Sequence, residues 1–374
     1  MADRAVLLAA LCALCGCEAA PVTTLDLMGA VEKRAAQTDG FGGVSLGVHA
    51  SAEDAWWFQG AAGHAWVGGP EMSADDTFEI ASITKTFTAV ATLRLVEQGR
   101  LSLDDTLGER LPAYADGLLV IDGHDYGPEI TVQQLLHQDS GLPDYWADPP
   151  FVTRGTNAFL KAFNADTERV WTPNELIAAA AKLDPIGAPG EVWHYSDTNY
   201  VLLGLLLEAV EKKPYDAVIR EQLLDPLALG DTWLTYHEQP TSDATESHRF
   251  EGTDDLFRVP RQGADWAGGG LVSSQRDLVT FIEAVARGDV FDDPDMRFTL
   301  VDLQPTDEAD ITYGLGVFGV DLGADGYLWG HDGYGGSFVY TWPQRGLTMV
   351  GTVNQTDVDW WPLALATIRA ADAL

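Results

Sequence analysis

Apolar residues along the chain change their period several times, and each change predicts a different element. Leu27, Ala30 and Val31 recur at helical steps within Asp26–Ala36, which predicts a helix there. Two runs with strand character follow, Gly43–His49 and Ala55–Ala61, the second carrying Trp56, Trp57 and Phe58. The polar turn Ser51-Ala52-Glu53-Asp54 joins them as a hairpin. A strong helix is predicted from about Ser82, with Ile83, Phe87, Val90 and Leu93 on one face and Gly99 as its stop. Thr131-Val132-Gln133-Gln134 and Thr172-Pro173-Asn174-Glu175 read as capping boxes that open helices, the second with proline at the first helical position. Tyr200–Val210 is a markedly apolar helix. Ser274-Gln275-Arg276-Asp277 reads as a third capping box, opening a helix to about Arg287. Strand character returns in Leu315–Val320, Tyr327–Trp329, Ser337–Trp342 and Leu347–Val353, separated by glycine-rich turns, and a last helix spans about Pro362–Ala373.

The order is strands, then helices, then strands and a helix. Terminal strands can therefore complete one antiparallel sheet, with a mainly helical region inserted between them. The fold class expected is α+β, an antiparallel β-sheet flanked by helices with an inserted helical subdomain. The catalytic domain is expected over residues 26–374. Its α/β part covers about 26–100 and 262–374, and its helical part about 101–261.

Composition narrows the partners. Hydrophobic residues make up 46% of the 374 and charged residues 21%, an ordinary globular balance. The formal net charge of −35 is not ordinary and repels nucleic acid, so that class of partner is set aside. The plainest reading of the acidity is a solvated acidic surface; a saline habitat and a cationic substrate are the sharper alternatives. All three cysteines, Cys12, Cys15 and Cys17, lie near the N-terminus, next to an apolar run, Ala5–Ala13, preceded by Arg4. This pattern predicts an export signal over residues 1–17 and a short tether over 18–25. Leu14-Cys15-Gly16-Cys17 resembles a lipobox, which makes Cys17 the expected lipidation site and the cell envelope or periplasm the expected location. Simple secretion and a cytosolic protein are the alternatives. Membrane contact is expected through that anchor alone, and the assembly expected is a monomer.

Ser82 and Lys85 stand three apart at a predicted helix start, so they share a face. A serine hydroxyl needs a base to become a nucleophile, and lysine can be one when burial favours its neutral form. Free N–H groups at a helix start suit a developing oxyanion. In isolation the four-residue pattern fits an N-capping serine and a surface lysine just as well. Its context carries more. Phe78-Glu79-Ile80-Ala81-Ser82-Ile83-Thr84-Lys85, Leu101-Ser102-Leu103-Asp104-Asp105 with Leu111-Pro112, Thr131 through Leu142, Pro189 through Tyr200, and Gly330-His331-Asp332-Gly333 follow one another in an order and spacing that resemble the serine β-lactamase-like superfamily. That superfamily includes class C β-lactamases, DD-carboxypeptidases, D-amino-acid peptidases and related esterases.

The resemblance implies roles. Ser82 is the residue acylated, and Lys85 accepts or relays its proton. Tyr195 shuttles a proton to the leaving group, and His331 binds a substrate carboxylate or tunes Tyr195. The backbone N–H groups of Ser82 and Tyr334 form the oxyanion hole. Asp197, Asp332 and Gly333 flank the substrate, with Tyr145 and Trp146 as cleft walls or loop anchors. No metal or organic cofactor is implied; His49, His64, His124, His237 and His248 show no metal-ligand spacing. The partner implied is a small-molecule or peptide substrate, first a D-alanyl peptide, next an ester or a D-amino-acid amide, then a β-lactam. A catalytically silent peptidoglycan-binding protein of the same fold is the alternative from another class. Asp197 departs from the superfamily's usual asparagine. An aspartate keeps the contact to lysine but loses the amide N–H donors, so β-lactams are expected to be poor substrates, and an ammonium-bearing substrate has a carboxylate to meet.

Overall fold

The computed structural model describes residues 24–51, 55–153, 156–166, 169–240, 242–257, 265–306, 311–322 and 326–371. The expected export signal, most of the expected tether and Cys17 lie outside the described residues.

The first helix, α1 (Thr24–Ala35), starts two residues before the expected position and buries Leu27 and Val31. Fully burying each such side chain stabilises the fold by about 1.5–3 kcal/mol. Strands β1 (Gly43–Ala50) and β2 (Trp56–Gly63) pair antiparallel as the hairpin pattern requires, with Val48 opposite Phe58. After β3 (Phe78–Glu79), a single 3₁₀ turn over Ala81–Ile83 leads into α2 (Thr84–Glu97), which Gly99 follows at φ +66°.

From residue 101 to 257, none of the described residues joins the large sheet. This stretch forms short helices and two-stranded ribbons. Among the helices are α3 (Val132–His137), α4 (Pro173–Ala180) and α5 (Asp197–Glu211). Thr131 and Thr172 each form a complete capping box, as their sequences predict. Strand β4 (Trp233–Leu234) pairs with β5 (Leu271–Ser273), which also pairs with β3, so the segment leading to Ser82 is held by a small three-stranded sheet. Between them lies α6 (Trp266–Gly269).

Helix α7 (Gln275–Arg287) departs from its predicted cap in one respect. The Ser274 hydroxyl accepts from the Asp277 N–H, but the Asp277 carboxylate accepts from the Asp231 N–H and the Thr232 hydroxyl instead of turning back to Ser274. Half of the box is local, and the other half has become a tertiary contact to the residues before β4.

The C-terminal strands are β6 (Gln304–Pro305), β7 (Thr312–Tyr313), β8 (Phe318–Asp321), β9 (Tyr327–Gly333), β10 (Ser337–Trp342) and β11 (Leu347–Thr352), and α8 (Trp361–Ala371) ends the fold. The antiparallel sheet runs β6-β7-β8-β9-β10-β11-β1-β2. The two ends of the chain thus meet at β11 and β1, where Val48 lies opposite Met349. One face packs on α1 and α8 through Phe338, Tyr340, Trp360 and Leu363. The other face packs on α7 and α2 through Val339, Val350, Phe281 and Phe87. Ser82 stands at the start of α2, between this second face and the helical region.

Candidate active site

The turn that carries Ser82 is tightly fixed. Ala81, directly before Ser82, has φ +45°, a left-handed conformation that a residue with a Cβ adopts at a cost of about 1–2 kcal/mol. The Ile80 N–H donates to the Leu271 carbonyl at 3.0 Å, and the Ser337 hydroxyl donates to the Ile80 carbonyl at 3.1 Å. These bonds tie the turn to β5 on one side and β10 on the other. Gly333, at the end of β9, is required by this approach. A Cβ there would overlap the Ile80 carbonyl oxygen and lie 3.0 Å from the Ala81 Cβ. The backbone entering Tyr334 is therefore drawn up to the backbone entering Ser82.

Lys85 projects from the first turn of α2 and is fully buried, while Ser82 is half-buried. Its Nζ donates to Ser82 Oγ at 3.0 Å and to the Gly268 carbonyl at 2.8 Å, and forms an ion pair with Asp197 Oδ1. Three acceptors face the three N–H bonds of an ammonium. The Gly268 carbonyl is aimed there by threonines on α2: Thr88 donates to the Ala267 carbonyl at 2.7 Å, and Thr84 accepts from the Leu271 N–H at 3.1 Å. Helical spacing alone does not separate these buried threonines from solvent-facing ones.

Tyr195 lies with its ring centroid 4.9 Å from Lys85 Nζ. Gln138 holds its segment. This residue caps α3 in the left-handed region (φ +69°) and is fully buried. Its carbonyl accepts from the His194 N–H at 2.8 Å, and its side-chain oxygen accepts from the Ser196 N–H at 3.1 Å and from Asn199 Nδ2 at 2.6 Å. The Ser140 hydroxyl completes the support by donating to Asn199 Oδ1 at 2.6 Å. Gln138 and Ser140 lie within a stretch the sequence marks as a landmark; their work in positioning Tyr195 depends on contacts about 60 residues away.

His331 is 1% exposed, with its ring 4.8 Å from that of Phe318 and 6.2 Å from that of Tyr195. Its Nδ1 lies 2.7 Å from the Asp332 carbonyl, which can only accept, so Nδ1 carries a hydrogen. This depth suits a residue that tunes Tyr195; it does not present the ring to an incoming carboxylate.

Two expected cleft residues sit elsewhere. Alternation along β9 turns Asp332 to the opposite face from His331, where its carboxylate accepts from the Tyr340 hydroxyl at 2.9 Å. The Tyr340 ring packs near Trp360, 5.5 Å away, on the α1–α8 side. Tyr145 is fully buried, its ring edge-on to Phe159 at 5.1 Å, so it is part of the core and not an open wall. Trp146 is half-buried between Phe159 and Phe163. Tyr334 is exposed, 58% by area, at the rim of the site.

The structure adds two carboxyls that the sequence does not single out. Burial, and then the proximity of Asp197, raise Asp144 well above the ordinary carboxyl range. The same two causes push Asp265 up to about 7. Lys85 acts on both in the opposite sense. The surroundings of Ser82 therefore combine one buried cation with three carboxyls, Asp144, Asp197 and Asp265. Among the described residues no cluster of His, Cys, Asp or Glu has metal-binding geometry, and no helix is long and apolar enough to cross a membrane.

This arrangement can perform acyl transfer: a serine bonded to lysine, a tyrosine beside the lysine, and two backbone segments converging on the serine. Comparisons with known proteins agree. The Beta-lactamase family model matches residues 30–370. A D-stereospecific amidohydrolase from Streptomyces sp. is 29% identical, with a TM-score of 0.76 over 92% of this chain and 98% of that one. The D-amino acid amidase from Ochrobactrum anthropi SV3 is 24% identical (TM-score 0.74, 93% and 96% covered), and a penicillin-binding protein from Bacillus halodurans 19% (TM-score 0.70, 91% and 98% covered); both speak to the fold alone. Protein flp of Staphylococcus aureus is 28% identical over 214 residues, 57% of this chain and 39% of that protein. The match thus spans well under half the length of this curated relative.

Proposed function

This chain belongs to the β-lactamase family, whose members are serine hydrolases, and from that premise we propose that it hydrolyses amides whose acyl part is a D-amino acid with a free ammonium group. The observation that carries this reading is the Asp197 carboxylate, partly exposed and paired with Lys85, which in turn is bonded to Ser82. Such a site favours a cation on the substrate and disfavours an anion. The D configuration rests on the likeness to the Streptomyces D-stereospecific amidohydrolase.

In this mechanism Ser82 Oγ attacks the amide carbon. Lys85 takes the serine proton while passing one of its own to Asp197. The backbone N–H groups of Ser82 and Tyr334 hold the oxyanion. Tyr195 gives its proton to the leaving nitrogen as the C–N bond breaks, and the Lys85–Asp197 pair returns one to Tyr195. Water then cleaves the Ser82 ester, releasing the D-amino acid.

A D-alanyl peptide, cleaved ahead of its terminal residue, is the neighbouring reading. The Ser82–Lys85–Tyr195 set serves it equally. It requires a cation for the terminal carboxylate, and Arg249 is paired with Glu79 while His331 is buried. A panel of D-phenylalanine p-nitroanilide, its N-acetyl derivative, the L enantiomer and an N-acylated D-Ala-D-Ala peptide separates the two. The free amine is expected to exceed its N-acetyl derivative in kcat/KM by at least about tenfold, or about 1.4 kcal/mol. Equal turnover of the two, or preference for the acylated peptide, rejects the ammonium reading.

A further inference from the structure

Beneath the turn that follows β9 lies a buried arginine with no part in the chemistry above. Arg249 is 6% exposed. It belongs to a segment pinned at both ends. The Ser247 N–H donates to the Thr77 carbonyl at 2.8 Å, and the Phe250 N–H donates to the Asn354 carbonyl at 3.0 Å. This segment therefore crosses from the approach to the nucleophile strand to the end of β11. Along the way Arg249 passes directly under residues 333–336.

The guanidinium bridges two elements. One terminal nitrogen lies 3.3 Å from Glu79 Oε2, on β3, three residues before Ser82. The other donates to the Tyr334 carbonyl at 3.3 Å. Its carbon lies 5.6 Å from the centroid of the Tyr334 ring, and the arginine stem occupies the space that a Gly335 Cβ would need, 2.8 Å from Cγ and closer still to Cδ. The turn is also held by the Val353 N–H, which donates to the Gly336 carbonyl at 3.2 Å, and by the Tyr334 hydroxyl, which donates to Glu251 Oε1 at 3.3 Å. The Gly336 N–H donates to the Gly333 carbonyl at 3.1 Å, and Gly335 and Gly336 have φ +95° and +87°. Three of its four residues are glycines, which leave the backbone many alternatives. A positive φ at the third position marks the type II form. Its central peptide joins Tyr334 to Gly335, so the carbonyl that Arg249 holds and the Tyr334 N–H flank one Cα, and fixing the carbonyl limits how the residue that carries that N–H can rotate.

We propose that Arg249, anchored by Glu79, is a positioning residue that locks the Gly333–Gly336 turn so that the Tyr334 N–H is aimed at the oxyanion. This rests on the reading that the Tyr334 and Ser82 N–H groups form the oxyanion hole. The same arginine fastens both halves of that hole, through Glu79 on the Ser82 side and through the Tyr334 carbonyl on the other. Its fork geometry is essential, because a lysine is a single point donor and can face Glu79 or the carbonyl but does not span them.

The test is the full chain carrying Arg249→Lys, which retains a cation opposite Glu79, assayed on D-phenylalanine p-nitroanilide and on neutral p-nitrophenyl acetate. Loss of one oxyanion donor lowers kcat by about 10²–10³-fold. A misaimed donor is expected to lower kcat by about 10–100-fold on both substrates, with KM changed less than about threefold. Arg249→Ala is expected to lose activity likewise and to regain part of it when guanidinium is added at non-denaturing concentration. Should Arg249→Ala fail to fold, Gly335→Ala approaches the same contact from the turn and is expected to give the same kcat loss. Retention of wild-type kcat by folded Arg249→Lys overturns the proposal. So does a loss confined to an N-acylated D-Ala-D-Ala peptide assayed alongside them, whose terminal carboxylate makes Arg249 a ligand for the substrate. Labelling of the wild-type chain with a fluorophosphonate, lost in Ser82→Ala, keeps the underlying reading separate. If the wild type is not labelled at Ser82, the acyl-enzyme reading and this proposal fall together; if it is labelled and Arg249→Lys is fully active, this proposal falls alone.

Discussion

Lys85 and Asp197 form an ion pair directly behind Ser82, with the lysine fully buried and the Asp197 side chain 16% exposed. The superfamily resemblance places an asparagine where Asp197 stands. An asparagine leaves the lysine facing neutral acceptors and offers its N–H₂ to the substrate. The aspartate supplies a proton acceptor for the lysine and withdraws the N–H₂ donors.

Asp197→Asn is accordingly expected to shift the substrate range. Acylation by a fluorescent penicillin should rise by about 2–13-fold, since one recovered hydrogen bond to a substrate carbonyl is worth about 0.5–1.5 kcal/mol. Turnover of a D-amino-acid amide with a free amine should fall in the same variant. Unchanged acylation rates, measured by gel fluorescence over time, would count against both the proton-sink role and the substrate argument.

Lys85→Met removes the base and leaves Asp197 without its cation. Hydrolysis should fall by about 10³-fold, within the range for loss of a general base. Stability should fall by about 3 kcal/mol, because a largely buried carboxylate is stranded. The double variant Lys85→Met/Asp197→Asn should recover most of the stability and none of the activity. Denaturation midpoints for the four proteins of this cycle decide the matter; additive effects on stability mean the pair is not coupled.

Gly333→Ala tests the close approach of β9 to the turn that carries Ser82. The added methyl overlaps the Ile80 carbonyl and Ala81, and overpacking of this kind costs about 1–3 kcal/mol. Because the strain falls on the backbone on each side of the proposed oxyanion hole, kcat should drop more than about tenfold at temperatures where the variant is fully folded. A folded Gly333→Ala enzyme with normal kcat would show that the spacing tolerates change.

Glu79 gives a pH signature to stability. Burial raises its carboxyl from 4.5 to about 7; Arg249 opposes the shift, while Glu246 and Asp255 add to it. Between those two values the folded protein keeps a proton that the unfolded chain has lost. This group therefore makes stability decline as pH rises from about 4.5 to about 7, and its penalty is fully present above that window. Glu79→Gln should remove this decline, so wild type and variant differ more at pH 8 than at pH 5 in urea unfolding. Parallel profiles would place the Glu79 carboxyl in the ordinary range.

Much of the fold is legible locally. Ser337–Trp342 is a strand over the residues its pattern marks, and the threonine caps at 131 and 172 form as written. Caps and alternating strands depend on neighbours a few residues apart, so short-range chemistry suffices. The half-formed box at Ser274 shows the limit, because the Asp277 carboxylate finds better partners in Asp231 and Thr232, brought close by β4 and β5.

The sequence by itself determined the α+β order and, through its resemblance to the superfamily, the candidates Ser82, Lys85, Tyr195 and His331, because their motifs follow one another in the order and spacing that resemblance matches. Tertiary structure alone decided what surrounds them. It sent Asp332 to the far face of the sheet, since successive residues of a strand point opposite ways, and it closed Tyr145 into an aromatic core. It brought Gln138 under Tyr195, Asp144 and Asp265 into the field of Asp197, and Arg249 beneath Tyr334. Electrostatic fields and hydrogen bonds act through space, and residues this far apart in the chain acquire a common environment only when the sheet and the helical region close around Ser82.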